Sequence, residues 1–444
     1  MKKLLLLALL ICASHFAGAK SWTLQECVEY ALANNITLKK TLINRISAHE
    51  DMLQSQAALL PSLSATTNQN ITYRPWPETG AASVQNGYVQ ASVDKFYYNG
   101  SYGVSTNWTV WDANRTRNTV RLNALAEQQA ELDSAITANS IQEQIAQLYV
   151  QILYAADVIE VNKKSLETSR KNEERGQEFY NVGKMSRADL SQLTAQRAQD
   201  EYSVVEAESN LRNYKRQLKQ LLQLTGDEEF DVVLSVDVFD EMALAEIPSV
   251  KDVYENAVAM RPEIRAARLG IEQSALNMKI ASAQMLPTIS FNASAITNTT
   301  SLSDNSWGIQ LKNNFNLGAG FSINIPIFDN RQYKTAYNKA LLQRQSYMLD
   351  LQDKQTELYS TIENYWLQAV NNQNKYKAAV AATQSASESY ALLSGKFKEG
   401  LINIIELMEG RDKLIMAQQN ELQAKYLAIL NIDILKLYQT GTLL

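Results

Sequence analysis

The sequence predicts a mainly α fold with a β-barrel contribution: long coiled-coil helices, four membrane-type strands per chain, and an internal duplication. Three observations predict it. Residues 113–182 and 330–399 each run for 70 residues without proline and with one glycine, Gly176 and Gly395. Two pairs of segments alternate apolar and polar residues with period two. The second half of the chain also realigns on the first without gaps over long blocks.

The first 19 residues stand apart. Lys2 and Lys3 precede an apolar run from Leu4 to Ala13, and Ala17-Gly18-Ala19 supplies a small-x-small cleavage site. That pattern reads as a secretory signal peptide, residues 1–19. Cys12 follows the bulky Ile11, which argues against a lipoprotein signal. The mature chain then keeps one cysteine, Cys27, which excludes an internal disulfide.

No other segment reaches the ~18 consecutive apolar residues of a membrane-spanning helix. The net charge is −5 and falls further once Lys2 and Lys3 leave with the signal. An acidic chain without a basic cluster argues against nucleic acid as a partner. His49 is the one histidine of the mature chain, and neither a Cys/His cluster nor a phosphate-binding glycine loop is present. Nothing therefore points to a metal, a cofactor or an enzyme.

Residues 20–226 form the first repeat and 249–444 the second, with a connector at 227–248. Thr23 to Ala65 realigns with Ser249 to Phe291, and Val110-Trp111-Asp112 falls on Ile327-Phe328-Asp329. Each repeat opens with a helix, Thr23 to Leu60 or Val250 to Leu286. It ends at Pro61 or Pro287, which lack an N–H and disfavour helix in the residue before them.

A β-hairpin follows, residues 62–111 and 288–328. Ile289, Phe291, Ala293 and Ala295 alternate with Thr288, Ser290, Asn292 and Ser294; Phe321, Ile323, Ile325 and Ile327 do the same. In the first repeat Tyr102, Val104, Thr106, Trp108 and Val110 are the alternating set. Strands of about ten residues match a membrane-crossing β-strand. Tyr73, Trp76, Tyr97, Tyr98, Trp108 and Trp111 crowd the strand ends, as an interfacial aromatic girdle would. Pro75–Gly100 and Asn298–Leu311 read as exposed loops.

The rods come next. Ile141, Ile145, Leu148, Ile152, Ala155 and Ile159 recur in steps of four and three, the seam of a coiled coil. A helix of this length rises roughly 105 Å. A glycine turn, Val182-Gly183-Lys184 or Glu399-Gly400-Leu401, leads into a return helix at 187–224 or 404–438. In the connector, Phe230, Val232, Leu234, Val236 and Val238 alternate, which predicts a short strand.

Hairpins placed in hydrocarbon expose unpaired backbone on both edges, so membrane strands must close into a barrel. Four strands per chain fall short of the eight of the smallest barrels, so several copies must combine. Strand number alone does not separate a dimer from a trimer.

The openings Ala31 to Leu38 and Ala257 to Ile264, the Leu60-Pro61 and Leu286-Pro287 junctions, the two strand-to-helix junctions and the two glycine turns share one order. As a set they resemble the TolC family of outer-membrane efflux and secretion channels, over essentially the whole mature chain. The first opening departs from the family pattern, with Ile36 where proline is usual. The resemblance implies a homotrimer in the outer membrane of a Gram-negative bacterium, its twelve-stranded barrel in outer-membrane lipid and its coiled-coil helical barrel in the periplasm. It further implies two partners, a periplasmic adaptor (membrane fusion) protein and an inner-membrane pump.

On this resemblance Val182, Gly183, Lys184, Met185, Gly400, Leu401 and Ile402 are the adaptor-docking tips. Asp189, Glu406 and Glu409 match acids that line the constricted tunnel entrance; as isolated residues Glu406 and Glu409 read equally well as a solvated helix face, and Asp189 reads better as one. In a relative, the closing contacts use an arginine two residues after the second tip glycine and a tyrosine three before it. Here those positions hold Ile402 and Phe397. Cys27, between Leu24, Val28 and Ala31 on an amphipathic helix, reads as a buried inert thiol, and His49 as a surface or helix-packing residue.

The function so predicted is a passive exit duct of a tripartite efflux or type I secretion system. The competing reading is a periplasmic coiled-coil scaffold without a pore, for which the alternating strands would have no use.

Overall fold

The structure, a computed structural model, describes residues 21–76, 83–85, 88–90, 95–226, 230–233 and 236–441. The predicted signal peptide, the middle of the Pro75–Gly100 loop and Leu234 of the connector lie outside the described residues. The chain divides into two units. One comprises residues up to Ile43, Glu131–Ala266 and Leu351–Leu444; the other comprises Asn44–Ala130 and Ala267–Asp350.

In chain order the elements are β1 (Ser21–Trp22), α1 (Leu24–Asn34), α2 (Ile36–Ala57), β2 (Ser62–Tyr73), β3 (Ser83–Gln85), β4 (Tyr88–Gln90) and β5 (Phe96–Trp111). There follow α3 (Arg115–Asn181), α4 (Arg187–Leu221), β6 (Asp231–Val232), α5 (Val236–Ala243), α6 (Val250–Met260) and α7 (Pro262–Ala283). The chain closes with β7 (Thr288–Thr300), α8 (Trp307–Asn313), β8 (Asn316–Asn324), α9 (Gln332–Lys398) and α10 (Ile404–Thr440).

The rods α3 and α9 are continuous helices of 67 residues each. Both begin in the same unusual way. Ala113 and Asn114 have positive φ, as do Asn330 and Arg331 at the matching positions of the second repeat. Left-handed backbone is costly outside glycine. It is held by the preceding aspartate: Asp112 Oδ2 accepts from Thr116 N at 2.8 Å, and Asp329 Oδ2 accepts from Tyr333 N at 2.6 Å.

The cores of the first unit repeat with the same spacing. Ile145 and Ile362 are both fully buried, as are Cys27 and Val253, Ala31 and Ala257. Along α3 the seam positions Ile141, Ile145, Ile152, Ala155 and Ile159 are buried.

Each opening helix is two helices, a departure from the single helix the sequence predicts. The breaks fall at Asn35 (φ −60°, ψ 127°) and Arg261 (φ −64°, ψ 130°). Pro262 disfavours helical backbone at Arg261. In the first repeat, which lacks that proline, Asn35 Oδ1 accepts from the N–H groups of Thr37 (2.8 Å) and Leu38 (3.3 Å) and starts the new helix.

The connector also departs from its predicted strand. β6 pairs with β1 in parallel over two residues only, and α5 begins at Val236. Phe239, Met242 and Ala243, at helical spacing, pack on the core with Cys27, Ile145 and Leu218. Gln373 Nε2 donates to the carbonyls of Ala243 and Ala245, at 3.2 and 2.9 Å.

In the second unit four strands form one antiparallel sheet of order β2-β5-β7-β8. β8 ends at Asn324, short of the predicted 328. Pro326 cannot donate to a ladder, and Ile325 and Ile327 lie outside the strand. The predicted loop Asn298–Leu311 is shorter than expected, since β7 runs to Thr300 and α8 starts at Trp307. A bulge between Thr109 and Trp111 brings Trp111 opposite Ile289, on the apolar face, where strict alternation would have placed Val110.

Candidate functional site: sheet edges and hairpin tips

Two features carry the geometry, one in each unit. In the second unit the sheet is open within one chain. β5 and β7 are central, while β2 and β8 each pair on one side and are edges. The sheet has one apolar and one polar face, because Leu63, Ala65, Val104, Phe291, Ala293, Phe321 and Ile323 share a register. Leu63, Phe321 and Ile323 are 76%, 70% and 63% exposed. A large apolar face and two unpaired edges on one sheet require a cover that a single chain does not supply.

In the first unit lie the two glycine turns. Gly183 and Gly400 have φ of +74° and +75°, the left-handed conformation that closes a helix. Lys184 N donates to Phe179 O (2.8 Å) and Leu401 N to Lys396 O (2.9 Å), the six-to-one bond of a Schellman cap. Ser186 and Asn403 then cap the return helices: Asp189 N donates to Ser186 Oγ at 3.1 Å and Glu406 N to Asn403 Oδ1 at 2.9 Å. Asp189 and Glu406 therefore sit in first turns, where the helix dipole favours a carboxylate.

Around these turns Val182 and Leu401 are exposed at 67% and 72%, and Lys184 is exposed. Met185 and Ile402 are half-buried against a cluster of Leu193, Phe397, Ile404 and Leu407. That cluster joins the two tips, since Leu193 belongs to the first hairpin and the other three to the second. Phe179 and Phe397 meet with ring centroids 6.5 Å apart. Ile402 and Phe397, the two departures from the pattern noted above, are thus packed as apolar groups. Glu406 and Glu409 are both exposed, and Asp189 is half-buried with its carboxylate accepting from Ser186 Oγ at 2.8 Å.

Sequence reasoning missed a buried polar cluster behind the tips. Arg411 of α10 is ion-paired to Asp200 of α4, and the side chains are only 5% and 8% exposed. Arg411 Nη2 also donates to Ser165 Oγ of α3 at 2.5 Å, and Gln196 Nε2 donates to Asp200 Oδ1 at 3.1 Å. No local pattern could have revealed a pairing 211 residues apart.

Comparison with known proteins decides the family. A profile described as outer membrane efflux protein matches residues 27–225 and 253–432. The chain belongs to the outer membrane efflux protein family. The outer membrane protein TolC of Escherichia coli K12 is 22% identical over 458 residues, covering 97% of this chain and 85% of TolC. Among solved structures, CusC superposes with a TM-score of 0.79 at 14% identity, covering 96% of each chain. The Campylobacter jejuni CmeC outer membrane channel gives 0.77 at 18% identity, covering 95% of this chain and 86% of CmeC. The family is one of outer-membrane efflux channels, with a helical barrel and a β-barrel. Membership excludes the poreless periplasmic scaffold and places the protein in the outer membrane.

Proposed function

We propose that three copies of this efflux protein assemble into one passive duct, and that the duct serves a tripartite efflux or type I secretion system. The observation that carries the reading is the four-stranded sheet with its two open edges. In hydrocarbon each unpaired backbone group costs several kcal/mol. Docking β2 of one copy against β8 of the next removes every edge when the ring closes. Three copies give twelve strands, and the apolar face then meets outer-membrane lipid.

The same assembly carries two hairpin tips per chain. The turns at Gly183 and Gly400, with exposed Val182, Lys184 and Leu401 and the flanking Met185 and Ile402, form the docking surface for a periplasmic adaptor, which links the duct to an inner-membrane pump. Glu406 and Glu409, one turn apart on α10, contribute three copies each to a narrow periplasmic entrance, with Asp189 on the alternate hairpin. Rings of carboxylates there favour cations over anions and give divalent cations a place to lodge.

Planar-bilayer recording tests this reading. Purified protein is expected to conduct with cation selectivity and to be blocked by divalent cations. The Glu406→Gln, Glu409→Gln variant should still conduct, with both properties weakened. Absence of any current would overturn the duct; unchanged selectivity and block would leave these carboxylates as a solvated helix face.

A further inference from the structure

The polar face of the sheet is uniform in a way that alternation does not require. A water-facing strand position tolerates Lys, Arg, Asp or Glu as readily as Ser, and charged residues make up 20% of the chain. Yet β2, β5, β7 and β8 contain no Asp, Glu, Lys, Arg or His at any position. Apart from Ile296 and Tyr97, which the register places on the same side, the polar face is built of hydroxyls, amides and glycines instead.

Those groups are tied to one another across the strands. Asn107 Nδ2 donates to Asn292 Oδ1 at 2.7 Å, and Asn292 Nδ2 donates to Ser322 Oγ at 3.3 Å, which spans β5, β7 and β8. Between β2 and β5 the Ser64 and Ser105 hydroxyls lie 3.1 Å apart. Opposite Asn292 and Ser294 the partners on β8 are Gly320 and Gly318, which add no side chain to the wall. Within the four strands the face is therefore thin, hydrogen-bonded within itself and uncharged; a cation lies just past the end of β2, where Arg74 Nη2 donates to Tyr97 Oη at 3.2 Å.

We infer that the membrane passage of this protein is a neutral hydroxyl-and-amide conduit that admits cations, anions and uncharged polar solutes alike, so that selection by charge is made outside the barrel. The inference rests on the duct reading, which puts the polar face on the lumen. A charged lining raises a barrier against one sign of ion and concentrates the other. A wall of neutral dipoles can hydrogen-bond a passing solute of either sign and does neither.

Cysteine accessibility separates this inference from the reading beneath it. Cys27, the one cysteine among the described residues, is fully buried and leaves a silent background. Asn292→Cys and, one residue along on the opposite face, Phe291→Cys are made in the Glu406→Gln, Glu409→Gln background, so that the proposed acid rings do not bias the supply of reagent. The detergent-solubilised oligomer is then treated with a cationic and an anionic methanethiosulfonate of matched size. Rates are normalised to those for a free thiol.

The expected result is that Asn292→Cys reacts with both reagents at normalised rates within about twofold, below the roughly tenfold bias of a charged cleft. Phe291→Cys, under detergent, should react slowly with both. A tenfold or larger preference for one sign at Asn292→Cys would overturn the neutral conduit while leaving the duct intact. Fast reaction of Phe291→Cys with protection of Asn292→Cys would invert the faces and overturn the duct reading itself.

Discussion

Arg411 and Asp200 form an ion pair sealed from solvent between the two helical hairpins of one chain. Removing Arg411 leaves Asp200 buried without its cation, at a cost of about 3–5 kcal/mol; removing Asp200 costs less, since Arg411 Nη1 keeps its pair with Asp412 at 3.1 Å. Replacing both with apolar groups of similar volume removes that penalty. Arg411→Met and Asp200→Leu alone should each lower the denaturation midpoint of the solubilised protein, the first more markedly. The double variant should recover most of the loss, and a cycle of the four proteins checks this. Additive losses would mean that the two side chains act independently.

The tips make a second prediction. At Gly183 and Gly400 any other residue adopts left-handed backbone, costing about 1–2 kcal/mol for each. Open space surrounds both glycines, so strain and altered docking, not a clash, would cause any defect. Replacing both with valine should abolish export while the oligomer still reaches the membrane. Full export by that variant would remove the tips from adaptor docking.

Asp433 on α10 supplies a pH dependence. Burial pushes its carboxyl up to about 6 from the ordinary 3.8, only partly offset by Lys436. Between those values the folded chain keeps a proton that the unfolded chain has lost, so stability falls as pH rises from about 4 to about 6. Asp433→Asn should therefore stabilise the protein at pH 7, by about 2–3 kcal/mol. At pH 3.5 the gain should largely vanish, because the native carboxyl is then mostly protonated in both states. Thermal midpoints of the two proteins at the two pH values give the answer.

The rods and strands were legible because they follow single periods. The seam through Ile145 and Ile152 and the alternation at Ile289–Ala295 are local signals, and each emerges in the element it predicts. What escaped was set by capping or by distance. The apolar period runs on across Asn35, so only its side-chain bonds to Thr37 and Leu38 mark the break. The Phe230–Val238 alternation looks like a strand, but the core selects Phe239, Met242 and Ala243 at helical spacing. Phe397 and Ile402 could be named as departures from the family pattern, though their shared packing with Leu193 could not be foreseen.

The central claim is that sheets from several copies close edge to edge, and crosslinking of the edges tests it most directly. Within one chain β2 and β8 are separated by β5 and β7. Three strand spacings of about 4.8 Å put them well beyond disulfide reach. Chains carrying one cysteine on β2 (Ser64→Cys or Thr66→Cys) and one on β8 (Gly320→Cys or Ser322→Cys) should, in at least one pairing, oxidise in membranes to a covalent trimer on denaturing gels. Monomers alone across all four pairings, or a ladder that passes beyond three chains, would contradict a closed three-copy barrel.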